Sequence, residues 1–286
     1  MNYQDELNEL LSAVVREGAS DLHLSEGRHP TVRINGNLLP LIKKDALSHD
    51  DIVGLLKVML GEEKEKRFVE RKEFDFSYKF GDVARFRGNA YIQQGFYGIA
   101  LRLIPKQIKN LEDLGLPPML ASIAEKKQGF FLVVGPVGQG KSTTLASMIE
   151  LINQQRAEHV ITIEDPIEYV YDQKKSIIDQ REVGVDTDSF ESALLSVLRQ
   201  DVNVILLGEM RGHETMAAAV TAAETGHMVF STLHTNNAAQ TIDRIIDTFP
   251  PEQQDQIRIQ LAASLTGIFS QRLIPRISGG MVPAYE

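Results

Sequence analysis

Residues 130–144 read Phe-Phe-Leu-Val-Val-Gly-Pro-Val-Gly-Gln-Gly-Lys-Ser-Thr-Thr. A run of five apolar residues leads into Gly135, and residues 135–142 fit the pattern G-x-x-x-x-G-K-[ST] at every fixed position. The apolar run is typical of a buried strand, and a helical pattern follows from Ser142 to about Asn153. A strand, a glycine-rich loop and a helix in this order predict a phosphate-binding loop.

The residue types in this loop suit the binding of an anion. Glycines let the backbone turn tightly, and the N–H groups of the loop and of the following helix face the phosphates. We predict that Lys141 reaches the β- and γ-phosphates and that Ser142 helps to hold Mg²⁺. The simpler alternative is a glycine-rich turn with an isolated lysine. The predicted nucleotide-binding residues are Gly135, Pro136, Val137, Gly138, Gln139, Gly140, Lys141, Ser142 and Thr143.

Length and composition limit the class of protein. A chain of 286 residues can hold two domains, and its net charge of −9 argues against general binding to the backbone of DNA or RNA. The chain has no cysteine, which excludes disulfides and cysteine-based zinc sites. Its longest apolar runs are far shorter than the roughly 20 residues of a membrane span. We expect a cytoplasmic protein, since the acidic, amphipathic N-terminus does not fit a signal peptide.

The first part of the chain, residues 1–103, has the pattern of a small α+β domain. An amphipathic helix is predicted at residues 5–16, and short stretches of alternating apolar and polar residues predict an antiparallel sheet. Residues 104–118, which contain glycine and several prolines, are predicted to form a linker.

The second part, residues 119–286, has the pattern of an α/β domain. Nearly continuous apolar runs alternate with helical patterns, which is typical of a parallel sheet buried on both faces. In such sheets the ligand site lies beyond the carboxyl ends of the strands. The apolar runs are at residues 130–134, 160–163, 204–207 and 228–230.

Two of these runs end in acidic residues. Glu164 follows the second run, and a carboxylate beside a phosphate loop can orient and deprotonate the attacking water. Glu209 follows the third run, which is the Walker B pattern of an acid that binds Mg²⁺. For Glu164, the alternative is a solvated acidic turn.

Histidines and arginines supply further candidates. His227 and His234 flank the fourth run. They are not expected to bind a metal, because no third ligand lies at a suitable spacing. Local hydrogen bonding at the ends of the strand is the alternative to a functional role for both. Arg87 and Arg102 lie on predicted strands of the first domain. Such arginines form a solvated face or stabilise charge on a phosphoryl group across a cleft.

Taken together, these motifs resemble the secretion ATPase superfamily of type II and type IV secretion systems. Within it, the type IV pilus retraction ATPases of twitching motility are the most similar. The resemblance covers essentially the whole chain, and its motifs include Ala19–Leu24, Val32–Gly36, Ala84–Arg87, Glu164–Glu168, Gln180–Gly184, Gly208–Arg211 and Thr221–His234.

The resemblance implies a fold and roles for single residues. It implies a PAS-like N-terminal domain, a RecA-like ATPase domain, and ATP and Mg²⁺ as cofactors. Glu164 becomes the residue that activates water, and Glu209, with Ser142, a ligand of Mg²⁺. His234 becomes a nucleotide-sensing residue, with His227 in support. Arg87 and Arg102 become the first-domain arginines that reach the γ-phosphate; together with Glu164, Glu209 and His234 they form the predicted catalytic set.

The function implied is ATP hydrolysis by a homo-hexameric ring that drives pilus retraction at a platform protein of the inner membrane. The protein would be cytoplasmic and peripheral to that membrane, with no nucleic-acid partner. The alternatives are a related ATPase for pilus extension or type II secretion, and a nucleotide-binding accessory subunit. Gly212 replaces an acidic residue usual in the family, and we expect the ATPase domain to lack the family's further C-terminal helices.

Overall fold

The structure is a computed structural model, and the chain divides into two units, Met1–Lys106 and Gln107–Glu286. It describes residues 2–34, 36–81, 83–104, 107–277 and 280–286. Pro105 and Lys106, near the start of the predicted linker, lie outside the described residues.

The first unit is an α+β structure with a six-stranded sheet. Every strand pair in it is antiparallel, and the strand order is β3-β2-β1-β6-β5-β4. Its elements are α1 (Tyr3–Arg16), β1 (Asp21–Ser25), β2 (Thr31–Ile34), β3 (Asn37–Pro40), α2 (His49–Arg71), β4 (Glu73–Phe80), β5 (Ala84–Gln93) and β6 (Phe96–Ile104).

Two amphipathic helices cover the core of this unit. The α1 helix buries Leu7, Leu10 and Leu11 at helical spacing, as the sequence pattern predicts. The α2 helix begins at a capping box in which Ser48 and Asp51 satisfy each other's backbone N–H groups. It is interrupted at one glycine and then continues to Arg71, so the helical segment is longer than the apolar pattern of its first half indicates.

The second unit is an α/β structure. Its elements are α3 (Met119–Ala124), β7 (Gly129–Val134), α4 (Lys141–Gln155), β8 (His159–Glu164), β9 (Ile177–Glu182), α5 (Phe190–Val197), β10 (Val204–Leu207), α6 (His213–Glu224), β11 (Met228–Leu233), α7 (Ala238–Thr248), α8 (Pro251–Ser264), β12 (Leu265–Pro275) and β13 (Met281–Tyr285).

The sheet of the second unit has the order β13-β12-β7-β11-β10-β8-β9, and all its neighbours are parallel except β12 and β13. Alternate residues of β7 point into two cores: Phe130 and Leu132 pack on the side of α5 to α8, and Phe131 and Val133 on the side of α3 and α4. Burial on both faces explains why β7 reads as a continuous apolar run. The predicted α+β domain followed by a parallel α/β domain is confirmed.

Three strands of this sheet have no counterpart in the apolar runs. The outer strands β9 and β13 are largely polar or exposed, and Ile177 of β9 is 61% exposed. The β12 strand is longer, but its second half carries Gln271 and Arg272. Strands at or near the edge of a sheet are buried less completely, so they give a weaker apolar signal. Among the helices of the described ranges, none is long and apolar enough to span a membrane.

Candidate functional site

The phosphate loop, residues Gly135–Ser142, joins β7 to α4. Gly140, with φ of 78°, is the N-cap of α4 and has no side chain to cap the helix. The first turn of a helix leaves backbone N–H groups without partners inside the helix, and the helix dipole favours an anion there. The loop and the start of α4 therefore present backbone N–H groups in an arrangement that suits an anion.

Lys141 is the first residue of α4 and is only 7% exposed. Its Nζ donates hydrogen bonds to the carbonyl oxygens of Gly135 (2.8 Å) and Pro136 (2.9 Å). Burial lowers the pKa of the Lys141 amine, and the negative charges of Glu168 and Glu209 oppose this shift. The amine is therefore held directly over the loop, where a phosphate would compensate for its burial.

Two other predicted residues meet this lysine. Nδ1 of His234 lies 3.2 Å from Nζ of Lys141, and Nε2 of the same ring lies 3.5 Å from a carboxylate oxygen of Glu209. Glu209 also forms an ion pair with Arg211. The three side chains meet because β7, β11 and β10 are neighbours in the parallel sheet, so that their carboxyl ends lie side by side.

Glu164, the last residue of β8, is buried, with 9% of its surface exposed. Burial raises the pKa of its carboxyl group to about 7. Hydrogen bonds from the Thr162 hydroxyl (2.6 Å), the Gln180 amide (3.3 Å) and the Glu168 backbone N–H (3.4 Å) limit this rise. A carboxyl group with a pKa near neutrality can exchange a proton at physiological pH, which is what acid–base catalysis requires.

Glu168 is a second carboxylate at the site, and it is not among the predicted catalytic residues. Its side chain is exposed, and its charge acts on both Lys141 and Glu164, raising the pKa of each. It is the last residue of the segment Glu164–Glu168, which carries part of the family resemblance, but nothing in the sequence distinguished it from the other polar residues of that segment. Its nearness to the lysine follows from the turn after β8, which sequence periodicity does not report.

The candidate ligands of Mg²⁺ are the hydroxyl of Ser142 and the carboxylate of Glu209. Both are oxygen donors of the kind that Mg²⁺ prefers, and Mg²⁺ at nucleotides takes few ligands from the protein. Within the described ranges, no group of three or more His, Asp or Glu side chains could hold a metal by itself. Next to Ser142, the hydroxyl of Thr143 is hydrogen-bonded to the hydroxyl of Tyr169 at 2.8 Å.

The remaining candidates lie elsewhere. Arg87 and Arg102 are exposed and directly opposite each other on β5 and β6 of the first unit. Nε of Arg102 donates to the carboxylate of Asp21 at 2.9 Å. His227 contacts the Ala222 carbonyl oxygen at the end of α6 through its Nδ1, at 2.9 Å, which is a local structural contact.

Comparison with known proteins identifies the family. The family model described as Type II/IV secretion system protein matches residues 3–280. A Pseudomonas aeruginosa protein named "Type IV pilus retractation ATPase PilT" is 45% identical over 281 residues, covering 98% of this chain and 81% of the relative. From the same organism, "Type IV pilus ATPase PilU" is 41% identical over 274 residues, covering 96% and 72%.

A solved structure agrees with this result over nearly the whole chain. It is described as "Crystal Structure of the Pilus Retraction Motor PilT and Bound ADP", and it is 48% identical in sequence with a TM-score of 0.93. The match covers 98% of this chain and 81% of the solved chain.

Proposed function

The chain belongs to the type II/IV secretion system protein family, and we propose that it is a Mg²⁺-dependent ATPase that powers retraction of a type IV pilus. The observation that carries this proposal is the meeting of Lys141, His234 and Glu209 at the phosphate loop. A cation, an imidazole ring and an acid in mutual contact beside the loop support the binding of nucleotide phosphates there. The similarity to retraction ATPases selects ATP and the pilus from the wider class of nucleotide hydrolases.

We propose that residues Gly135–Thr143 hold the nucleotide. The backbone N–H groups of the loop would bind the phosphates, and Lys141 would exchange its carbonyl partners for the β- and γ-phosphate oxygens. That exchange replaces neutral acceptors with charged ones, which strengthens each hydrogen bond. Mg²⁺ held by Ser142 and Glu209 would neutralise charge that develops on the phosphates.

Water activation is assigned to Glu164, with Glu168 as the second candidate. Glu164 has the better pKa, since a base works best near the operating pH. Glu168 has the better access, since its side chain is exposed. His234 contacts both Lys141 and Glu209. It is proposed to respond to the γ-phosphate, because a movement of Lys141 toward the phosphate would change the contacts of the histidine ring.

The first unit is proposed to complete the catalytic site. Arg87 and Arg102 would reach the γ-phosphate when the first domain, residues 1–103, closes over the second, so that hydrolysis is coupled to domain motion. We propose a homo-hexameric ring that acts on a platform protein of the inner membrane from the cytoplasmic side. Pilus extension or type II secretion is the second candidate function, because relatives with those activities belong to the same family.

Steady-state ATP hydrolysis with and without Mg²⁺ tests the enzymatic part of the proposal. We expect Mg²⁺-dependent turnover that single-stranded DNA does not stimulate, and Glu209→Gln should weaken the dependence on Mg²⁺. A chain that binds ATP without turnover would instead be an accessory subunit.

Complementation tests the biological part. The gene is introduced into a strain that lacks its retraction ATPase, and twitching and the number of surface pili are measured. Restored twitching with fewer surface pili supports retraction. Restored pilus assembly in a strain that lacks the extension ATPase would contradict it.

A further inference from the structure

We propose that Gln271, on β12, is a positioning residue that fixes the nucleotide-binding conformation of the phosphate loop. This inference rests on the proposed ATPase function. It assigns a role to a strand that lies outside the motifs of the nucleotide site and that no apolar run in the sequence predicted.

The amide of Gln271 joins the phosphate loop to the helix that follows it. Gln271 is 3% exposed; its Oε1 accepts a hydrogen bond from the Thr144 hydroxyl at 2.7 Å, and its Nε2 donates to the backbone oxygen of Gln139 at 2.7 Å. Thr144 is in the first turn of α4 and is 1% exposed. Both ends of a buried amide are therefore satisfied, one by the helix and the other by the loop.

A second hydrogen bond connects β12 to the phosphate loop. The backbone N–H of Leu273 donates to Oε1 of Gln139 at 2.6 Å. The loop glycines also lie close to β12. A Cβ atom added at Gly140 would lie 2.9 Å from the side-chain Nε2 of Gln271, and one added at Gly135 would collide with the backbone carbonyl oxygen of Gln271. These glycines therefore leave room for β12 as well as for a phosphate.

The position of Gln271 follows from the sheet. The β12 strand runs parallel to β7 up to the pair Ser270 and Val134, so Gln271 is the next residue, level with the start of the loop. In a trans peptide the C=O and N–H groups point in opposite directions. Holding the Gln139 oxygen toward β12 therefore turns the Gly140 N–H away from β12, which sets the direction of one N–H donor of the loop.

Gln271→Glu is the sharpest test because it changes a single group. The carboxylate can still accept from Thr144, but it cannot donate to the Gln139 oxygen and places two oxygens against each other. We expect the Kd for fluorescent ADP to rise by about tenfold or more, as for the loss of a buried hydrogen bond that leaves its partner unsatisfied. The KM for MgATP should rise with it, while kcat at saturating MgATP changes less.

Gln173→Glu is the matched control. The side chain of Gln173 also donates to a backbone oxygen and accepts from a backbone N–H, both of Ile178, in the segment that leads into β9. The same substitution there should leave the Kd for ADP unchanged. An equal loss of affinity in both variants would mean that the effect is general destabilisation, and would overturn the assignment.

A second pair of variants keeps the test decisive if Gln271→Glu does not fold. Thr144→Val removes the hydroxyl that Gln271 accepts from while keeping the shape of the side chain, and Thr144→Ser restores the hydroxyl. We expect the valine variant to bind ADP more weakly and the serine variant to bind nearly as well as the wild type. Equal affinity of the two variants would contradict the positioning role.

The outcomes separate this inference from the proposed function. If the wild-type chain binds ADP and MgATP but Gln271→Glu binds them equally well, the positioning role is wrong and the ATPase proposal is unaffected. If the wild-type chain binds neither nucleotide, the proposed function fails, and this inference fails with it.

Discussion

In the first unit the candidate charges lie along the strands, whereas in the second they collect beyond the strand ends. Arg87 and Arg102 lie within β5 and β6, on an exposed face of an antiparallel sheet. Lys141, Glu164 and Glu209 lie at or just after the ends of β7, β8 and β10. In an antiparallel sheet the amino and carboxyl ends of the strands alternate along each side, whereas in a parallel sheet all the carboxyl ends lie on one side.

This difference separates binding from turnover. The second unit brings the loop, the lysine, the acids and the histidine together by its own topology, so it should bind a nucleotide without help. The first unit carries the candidate arginines on a sheet face, and in the proposed function they act on a phosphate only after a movement between domains. Changes in the second unit should therefore affect binding or chemistry, and changes in the first should affect turnover alone.

The largest effect is expected for Lys141→Ala. Removing the cation at the loop should abolish tight ATP binding and turnover, because it is the main positive charge beside the γ-phosphate. A direct titration with labelled ATP measures the loss. Lys126→Ala is the control, because Lys126 precedes β7 and so lies at the amino end of that strand, whereas the loop follows its carboxyl end. Unchanged ATP affinity in Lys141→Ala would remove the phosphate loop from the proposed site.

The next largest effect should separate chemistry from binding within the second unit. Glu164→Gln and Glu168→Gln each keep the shape of the side chain and remove its charge. Whichever carboxylate activates water should lose turnover by roughly 10²–10⁴-fold while ATP binding survives. Single-turnover hydrolysis and ATP titration are compared for both variants.

A buried acid outside the site provides the control for these two variants. Glu150 lies on α4, is 8% exposed and forms an ion pair with Lys174, and Glu150→Gln removes its charge. Its turnover should stay near that of the wild type once the variant is folded. Wild-type turnover in both Glu164→Gln and Glu168→Gln would mean that neither acid acts on the water.

A smaller effect is expected in the first unit. Arg87→Ala or Arg102→Ala should lower ATP turnover by roughly 10- to 100-fold, the worth of one charged hydrogen bond, and leave nucleotide binding by the second unit unchanged. Arg→Lys at each position tests the planar guanidinium, because lysine keeps the charge but loses the fork. Normal hydrolysis by both alanine variants in an assembled ring would make these arginines a solvated strand face.

The smallest effect concerns stability and pH. The pKa of Glu164 is about 7 in the folded chain, against an ordinary value of 4.5. Between these pH values the unfolded chain releases a proton that the folded chain keeps, so stability falls as pH rises through this window. The loss is complete above pH 7 and amounts to about 3–4 kcal/mol.

Glu164→Gln should remove this part of the pH dependence. Thermal unfolding without nucleotide at pH 5 and pH 8 measures it: the Tm of the wild type should fall more between the two pH values than that of the variant. Parallel behaviour of the two proteins would show that the carboxyl group titrates near its ordinary pKa.

Much of the fold could be read from local patterns. The four apolar runs became β7, β8, β10 and β11, and the amphipathic spacing of α1 was found where the sequence placed it. These features depend on neighbouring residues, which is why periodicity reports them. The strands β9 and β13 were missed because edge strands bury one side less completely and mix polar with apolar residues.

The sequence by itself determined the phosphate loop, the order of the two domains and the acids at the strand ends, because each is written in residues close together in the chain. Only the tertiary structure decided that His234 contacts both Lys141 and Glu209, that the charge of Glu168 acts on the lysine, and that Gln271 donates to the loop. The hydrogen bond between Thr144 and Gln271 joins residues 127 positions apart. Such contacts arise from strand order and packing, which bring distant segments together after the local elements have formed.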